Sequence, residues 1–420
     1  MAKVISADEI PNLLKPGMTV YVGGATGESS VIREALRQRP DCAPGVHFIG
    51  AHLPDINSFD YSSLEPTARS TGIFVTAAQR DSFVQGRHRI LRMGYFEFAQ
   101  YLRRTEIDMA LLLLSEPDDE GRFGSGLNAD FCCIAADRAK IVIAEINSAL
   151  PKRSSSSRIC PDQVTYCIPS DAEISSLGQP SVDPTSHRIA SNVAELIENG
   201  AILQIGIGKL PSAVLSCLEA HQRLGLHSGV VSDACLRLIA KGVMTGETNP
   251  LSRGVAVAAG ALGSSKLYQS LDTAAIDLRE ASYTHSSEVL RMLPSFASIN
   301  SAIEVDLFGQ INAETVGGRM VSGVGGFNDF ARAARSNESG RSIVALPSRS
   351  RDLSRIVPTL RPGAPITANS GDVDYIVTEH GTASLAGRTL EQRASALISI
   401  AHEDDREHLE RSWHDLKARL

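Results

Sequence analysis

Twice in this chain an unbroken apolar run gives way to a glycine turn and then to a helix. Met18-Thr19-Val20-Tyr21-Val22 leads into Gly23-Gly24-Ala25-Thr26-Gly27-Glu28-Ser29 and a helix through Ile32 to Leu36. Ala201-Ile202-Leu203-Gln204-Ile205 leads into Gly206-Ile207-Gly208-Lys209-Leu210-Pro211 and a second helix. An apolar run without polar alternation needs burial on both faces, which a parallel sheet covered by helices supplies. Further short apolar runs at 46–50, 72–75, 109–114 and 140–145, and later at 255–258, 343–346 and 375–377, extend the pattern, with a helix expected over 96–102. The fold class expected is therefore α/β, with open, mostly parallel sheets. The first glycine turn lacks dinucleotide-fingerprint spacing and the Gly-Lys-Ser/Thr of a P-loop, so nicotinamide and ATP are not read from it.

With 420 residues the chain exceeds one ordinary domain. Between 152 and 184 it turns polar and rich in proline, and here a junction is placed, near 175–186. The domains expected are 1–180 and 186–420. The second opens with an amphipathic helix over 187–199, stopped by Gly200.

Composition excludes several function classes. The net charge is −7 and no lysine or arginine block stands out, which argues against nucleic acid as a partner. Seven cysteines occur without a Cys-x-x-Cys pair or matching histidine spacing, so neither a metal site nor a disulfide framework is indicated. No apolar run reaches membrane-spanning length and no signal-peptide core is seen at the start. A cytoplasmic location is expected, with no membrane partner.

One more stretch carries chemistry: Ser322-Gly323-Val324-Gly325-Gly326-Phe327-Asn328-Asp329-Phe330. Three glycines in four positions let backbone N–H groups approach a ligand closely. A helix starting at Asn328 or Asp329 adds the positive end of its dipole, which favours an oxyanion or phosphate.

Together the motifs resemble the acetyl-CoA hydrolase/transferase family, close to the 4-hydroxybutyrate CoA-transferases of class I. Residues 322–330 are similar to its Ser-Gly-Val-Gly-Gly-x-x-Asp-Phe loop, and Ile376-Val377-Thr378-Glu379-His380-Gly381-Thr382-Ala383 to its Val-Val-Thr-Glu-Tyr-Gly-Val-Ala. Glu304 to Glu314, the turns at Gly24-to-Glu28 and Gly206-to-Pro211, Ile143-Ala144-Glu145-Ile146-Asn147 and residues 394–406 add further matches along nearly the whole chain.

That resemblance implies two open α/β domains with the active site in the cleft between them, in a homodimer. It implies acyl-CoA and a small carboxylate as substrates, with coenzyme A as the group moved and no metal. C4–C5 acids such as itaconate or 4-hydroxybutyrate are within its range; Arg253, Arg319 and Arg349 are the cations that could meet a diacid. Gly206, Gly208, Lys209, Gly229, Gly323, Gly325, Gly326, Phe327 and Asn328 take the positions of its CoA cradle. In the family a glutamate attacks the thioester to give a mixed anhydride, and CoA returns to form a glutamyl thioester.

At that glutamate the chain departs from the pattern. The family's Leu-Gly-x-His-Thr-Glu-Met-x-Ser-Asp reads here Leu224-Gly225-Leu226-His227-Ser228-Gly229-Val230-Val231-Ser232-Asp233, so Gly229 stands in the nucleophile's place. Glycine cannot form an acyl anhydride. Three readings follow: a CoA-transferase in which another carboxylate acts, Glu28 first and Asp55 second; an acyl-CoA hydrolase with Glu28 as general base; or a non-catalytic CoA-binding subunit. His227 and Ser228 do not form a base–nucleophile pair, because strand neighbours point to opposite faces.

Overall fold

A computed structural model describes residues 2–178 and 181–420. The chain divides into two units: one of Met1–Gly178, Val257–Thr284 and Val321–Gly325, the other of Gln179–Ala256, His285–Met320 and Gly326–Leu420. After Gly178 the chain leaves the first unit, and it re-enters that unit twice. Position 180, the limit set for the first domain, lies outside the described residues.

The first unit holds an eight-stranded sheet in the order Lys3–Val4, Tyr166–Ser170, Ala139–Asn147, Ile107–Ser115, Thr19–Val22, His47–Ile49, Arg69–Gly72, His88–Ile90. Every neighbouring pair is parallel. Alternate residues explain the apolar runs: Val20, Val22, Met109 and Leu111 pack in one core cluster, and Tyr21, Ala110, Leu112 and Leu114 in another. Helix Ser30–Arg37 covers the first cluster through Ile32 and Leu36, and helix Tyr95–Arg104 covers the second through Phe98, Ala99 and Leu102. Each large apolar side chain so buried contributes roughly 1.5–3 kcal/mol.

In the second unit the strands Gly225–Val231, Ile202–Ile205, Phe296–Ser301, Arg341–Ala345 and Tyr375–Thr378 lie side by side in that order, all parallel, and Gly381–Ser384 closes the edge antiparallel. Helix Phe327–Ser336 packs on this sheet through Phe330, Ala333 and Ala334, which share a core cluster with Ile202 and Phe296. The α/β expectation with mostly parallel sheets is met in both units.

Three local expectations shift. The helix placed at 187–199 runs Pro184–Ala194, because the Asp183 carboxylate caps the Ser186 N–H at 2.8 Å and proline occupies the first turn. Gly200, with φ 82°, serves the turn before the next strand instead of that helix end. The strand expected at 72–75 is Arg69–Gly72, and Ile73 to Val75 lie beyond its C-terminal end, buried.

Among the described residues no helix is long and apolar enough to cross a membrane. No group of three or more His, Cys, Asp or Glu side chains among them could hold a metal.

Candidate active site

Glu28 follows the Thr19–Val22 strand and the short turn Ala25–Gly27. It does not start the helix, as its sequence position suggested: Ser29 is the cap, its hydroxyl accepting the Ile32 N–H at 3.0 Å. Glu28 stands one residue before the cap in extended backbone. Its carboxylate is therefore free of the helix end and turns into a ring of donors.

Those donors are three. Tyr61 Oη donates to Glu28 Oε1 at 2.9 Å, while Arg33 Nη1 at 2.8 Å and Asn57 Nδ2 at 3.1 Å donate to Oε2. The Glu28 side chain is only 3% exposed, against 32% for Arg33. A buried carboxylate is tolerated when it is paired and hydrogen-bonded in this way. Tyr61 is buried, and burial first, then the Glu28 charge, pushes its phenol well above the usual range, so it stays a donor. The His52 ring lies flat on Tyr61 at 5.3 Å, and burial holds His52 below its ordinary value against the opposing pull of Glu28.

Asn57 also builds the turn. Its Oδ1 accepts the Ala25 N–H at 2.9 Å and the Leu53 N–H at 2.8 Å, and its Nδ2 donates to the Ala25 carbonyl. Ala25 is thereby held at φ 49°, a left-handed conformation that costs a non-glycine residue about 1–2 kcal/mol. The same amide fixes both backbone and carboxylate.

Beside Glu28 a cavity of about 100 Å³ is lined by both Glu28 and Glu145, with Thr26, Arg33, Asn57 and Leu113 among its walls. Glu145 is 1% exposed; Ser29 Oγ and Asn147 Nδ2 donate to its two oxygens. Asp55, the other carboxylate considered, sits exposed on the turn before Asn57 with φ 63°. From that loop it is Asn57 that reaches Glu28.

In the second unit Gly229 lies in the Gly225–Val231 strand. A methyl group there would meet His285 Nε2 at 3.4 Å and Phe330 at 3.9 Å, ordinary contact distances. His285 is buried, its ring 4.4 Å from that of Phe330, and burial followed by the neighbouring His227 pushes its pKa down to about 3. The imidazole is therefore neutral at physiological pH. Gly326 has no room for a Cβ, which would lie 2.6 Å from the same Nε2. The Ser228 hydroxyl donates to the Ile205 carbonyl at 2.9 Å.

Of the residues expected in a CoA cradle, Gly323 and Gly325 belong to the first unit and the others to the second. Gly323 packs on the carbonyl oxygen of Ile73, where any Cβ would collide, and Gly325, at φ 57°, bridges to Gly94. Phe327 begins its helix one residue before the expected start, and its side chain belongs to the core of the second unit. Asn328 Oδ1 is buried without a hydrogen-bond partner among the described residues. Gly206 has open space where a Cβ would stand, and Gly208, at φ 108°, precedes helix Lys209–Cys217 with no side-chain cap. Lys209 pairs with Asp183 at 3.1 Å. Of the cations considered for a diacid, Arg253 and Arg319 are exposed, and Arg349 is taken by Asp404 and Asp405.

Sequence reasoning singled out Glu28 but neither the residues that bond to it, Tyr61, Asn57 and Arg33, nor His285. Arg33 was within reach, five residues along at the start of an expected helix. The other three carried no local signal.

Against known proteins, profiles of the acetyl-CoA hydrolase/transferase N-terminal and C-terminal domains match residues 1–175 and 263–413. The 4-hydroxybutyrate coenzyme A transferase of Clostridium kluyveri is 33% identical over 414 residues, 97% of this chain and 96% of that one. The crystal structure of RipA from Yersinia pestis superposes with a TM-score of 0.93 at 27% identity, covering 99% of this chain and 98% of that one. A 4-hydroxybutyrate CoA-transferase from Porphyromonas gingivalis follows at TM-score 0.82 and 30% identity, covering 100% and 98%.

Proposed function

The chain belongs to the acetyl-CoA hydrolase/transferase family, and from that premise we propose that it moves CoA between an acyl-CoA and a short-chain carboxylate of the C4–C5 range, with Glu28 as the acyl-accepting group. The observation that carries the proposal is the state of the Glu28 carboxylate. An ionised carboxylate offers about four lone-pair sites. Arg33 and Asn57 occupy Oε2 and Tyr61 takes one site on Oε1, which leaves Oε1 a lone pair on a residue that lines the cavity. Gly229, where the family places its glutamate, offers no group to compete.

In this reading Oε1 of Glu28 attacks the thioester carbon, the C–S bond breaks and CoA leaves as the thiolate. An acyl–Glu28 anhydride remains. The thiolate then attacks the Glu28 carbonyl carbon and expels the acyl group as a free carboxylate; the second carboxylate attacks the resulting thioester and the sequence runs in reverse. Every bond formed has a bond broken. Arg33 and Asn57 hold Oε2 throughout, so orientation rather than basicity drives the attack. The resemblance further supports a cytoplasmic homodimer, for which light scattering of the purified protein is the check on assembly.

Hydrolysis is the competing reading, favoured by one observation. The cavity beside Glu28 has room for roughly three waters, and a carboxylate at its wall can take a proton from one.

Incubation with acyl-CoA and then hydroxylamine, followed by peptide mapping, tests the proposal. A hydroxamate at Glu28, and loss of exchange in Glu28→Gln, are expected. Exchange that persists in Glu28→Gln with no label at residue 28 would overturn it, and thiol release without any acceptor would favour hydrolysis.

A further inference from the structure

The Glu28 side chain is only 3% exposed, and the cavity beside it has room for roughly three waters, too little for a four-carbon acyl group with its thioester sulfur. Attack needs the thioester carbon within about 3–3.5 Å of Oε1. Part of the wall must therefore move before an acyl-CoA can react there.

Most of the wall is pinned. Ala25 is held by Asn57 and Thr26 by the Ala261 carbonyl, Leu113 and Glu145 lie in paired strands, and Ser30 and Arg33 belong to helix Ser30–Arg37. Residues 173–176 are different. The chain is anchored on either side of them: Asn147 Nδ2 donates to the Ala172 carbonyl at 2.9 Å, and the Leu177 N–H donates to the Gly263 carbonyl at 2.8 Å. Between those anchors Glu173, Ile174, Ser175 and Ser176 make no hydrogen bond or ion pair with any described residue. Ile174, half-buried between the exposed Glu173 and Ser175, is the apolar side chain with which this strap lines the cavity, and it belongs to neither of the core clusters flanking the sheet. A segment without hydrogen bonds or core packing is the part of a wall that opens most readily.

We infer that residues 173–176 are the movable cover of the cavity, and that Ile174 selects transfer over hydrolysis by keeping water from the acyl group carried on Glu28. The inference rests on the proposed role of Glu28 and deepens it. With the strap lifted, the thioester reaches Oε1; with the strap returned, Ile174 closes an apolar surface over the anhydride. Water admitted there adds its oxygen to the acyl carbonyl carbon and breaks the bond to Oε1, leaving two carboxylates and two protons. Each such event releases CoA thiol in place of a new thioester.

The test supplies butyryl-CoA and 4-hydroxybutyrate to the full chain and compares the free thiol released with the 4-hydroxybutyryl-CoA formed. Ile174→Ala should raise the ratio of thiol to new thioester by about tenfold or more, while Ile174→Leu, which restores the apolar bulk, should stay within about threefold of the native ratio. A ratio of two products does not depend on how much of a variant is folded, so a purely structural Ile174 would leave it unmoved. Should Ile174→Ala fail to fold, Leu177→Ala, whose backbone bond to Gly263 is kept, should raise the ratio too. A second readout needs no turnover: a water-soluble carbodiimide with an added amine, mapped by mass, should label Glu28 about threefold faster or more in Ile174→Ala than in the native chain.

Exchange that persists with the ratio unmoved in Ile174→Ala and Leu177→Ala overturns the inference and leaves the transferase reading intact. Thiol release by the native chain without any new thioester overturns both. No turnover of either kind overturns the transferase reading alone, and the carbodiimide rates then decide the cover: equal labelling of Glu28 in the native chain and Ile174→Ala rejects it.

Discussion

A methyl group placed on Gly229 would touch His285 Nε2 at 3.4 Å, whereas one on Gly326 would be driven to 2.6 Å from the same atom. One imidazole thus sets opposite rules for two glycines. Gly229 lies in a strand and adopts no left-handed backbone, so Gly229→Ala fits and restricts the unfolded chain, and a gain of about 0.4–1 kcal/mol is expected. Gly326→Ala must displace a buried ring packed on Phe330 and should lose roughly 1–3 kcal/mol. Urea denaturation of both variants checks the pair; equal effects would mean that His285 yields easily.

The Tyr61 hydroxyl can be removed without removing the reacting atom. Tyr61→Phe leaves Glu28 Oε1 buried and short of its donor, which should cost about 1–3 kcal/mol of stability. Acyl exchange should stay within about tenfold of the native rate, because Arg33 and Asn57 still orient the carboxylate. Loss of exchange comparable to Glu28→Gln would give Tyr61 a part in the chemistry.

Acid should act on this protein through buried groups of opposite sign, Asp130 and His285 among them. Burial pushes the Asp130 carboxyl up to about 6, so the folded state keeps a proton that the unfolded chain has lost; its contribution is full below the ordinary carboxylate value and is lost as pH rises through 6. His285, pushed down to about 3, contributes stability that is present above the ordinary histidine value and is lost as pH falls toward 3. From pH 6.5 down to 4 the two partly cancel, Asp130 being worth about 3 kcal/mol over the whole window. Asp130→Asn keeps the acceptor for the Phe131 N–H and removes the proton. Its stability should therefore fall more steeply on acidification than that of the native protein. Parallel stability curves at pH 4.5, 5.5 and 6.5 would contradict this.

How far the sequence could be read depended on distance along the chain. Strand, glycine turn and helix at 18–36 were legible because each is specified by its own few residues, and the parallel sheet followed from runs such as 109–114 that are buried on both faces. Boundaries failed where a cap decides them, as Asp183 does for the helix beginning at Pro184. They failed too at 73–75, where apolar residues pack beyond a strand end. Glu28 was legible as an acid after a glycine turn. Its partners were not, since Asn57 and Tyr61 stand 29 and 33 residues away and meet it only once the sheet has folded. His285 was invisible for the same reason, since nothing around Gly229 in the chain hints that an imidazole faces it.

Asn57 joins turn and carboxylate, and a one-atom change there separates the two tasks. Asn57→Asp keeps Oδ1 as acceptor for the Ala25 and Leu53 N–H groups, so the turn, with Ala25 at φ 49°, retains its anchor. It replaces the donor lying 3.1 Å from Glu28 Oε2 with an anion. Two carboxylates that close cannot both ionise easily, so the pair should titrate with one value raised by a unit or more. If Glu28 must be ionised to attack, the acidic limb of the pH–rate profile moves to higher pH by about the same amount, while activity well above that limb is largely recovered. Asn57→Ala, in contrast, strands two backbone donors and should lose stability at every pH, by about 1–3 kcal/mol for each group left unpaired. An Asn57→Asp profile that falls uniformly, with its limb unmoved, would show that the ionisation governing the rate belongs to a group other than Glu28.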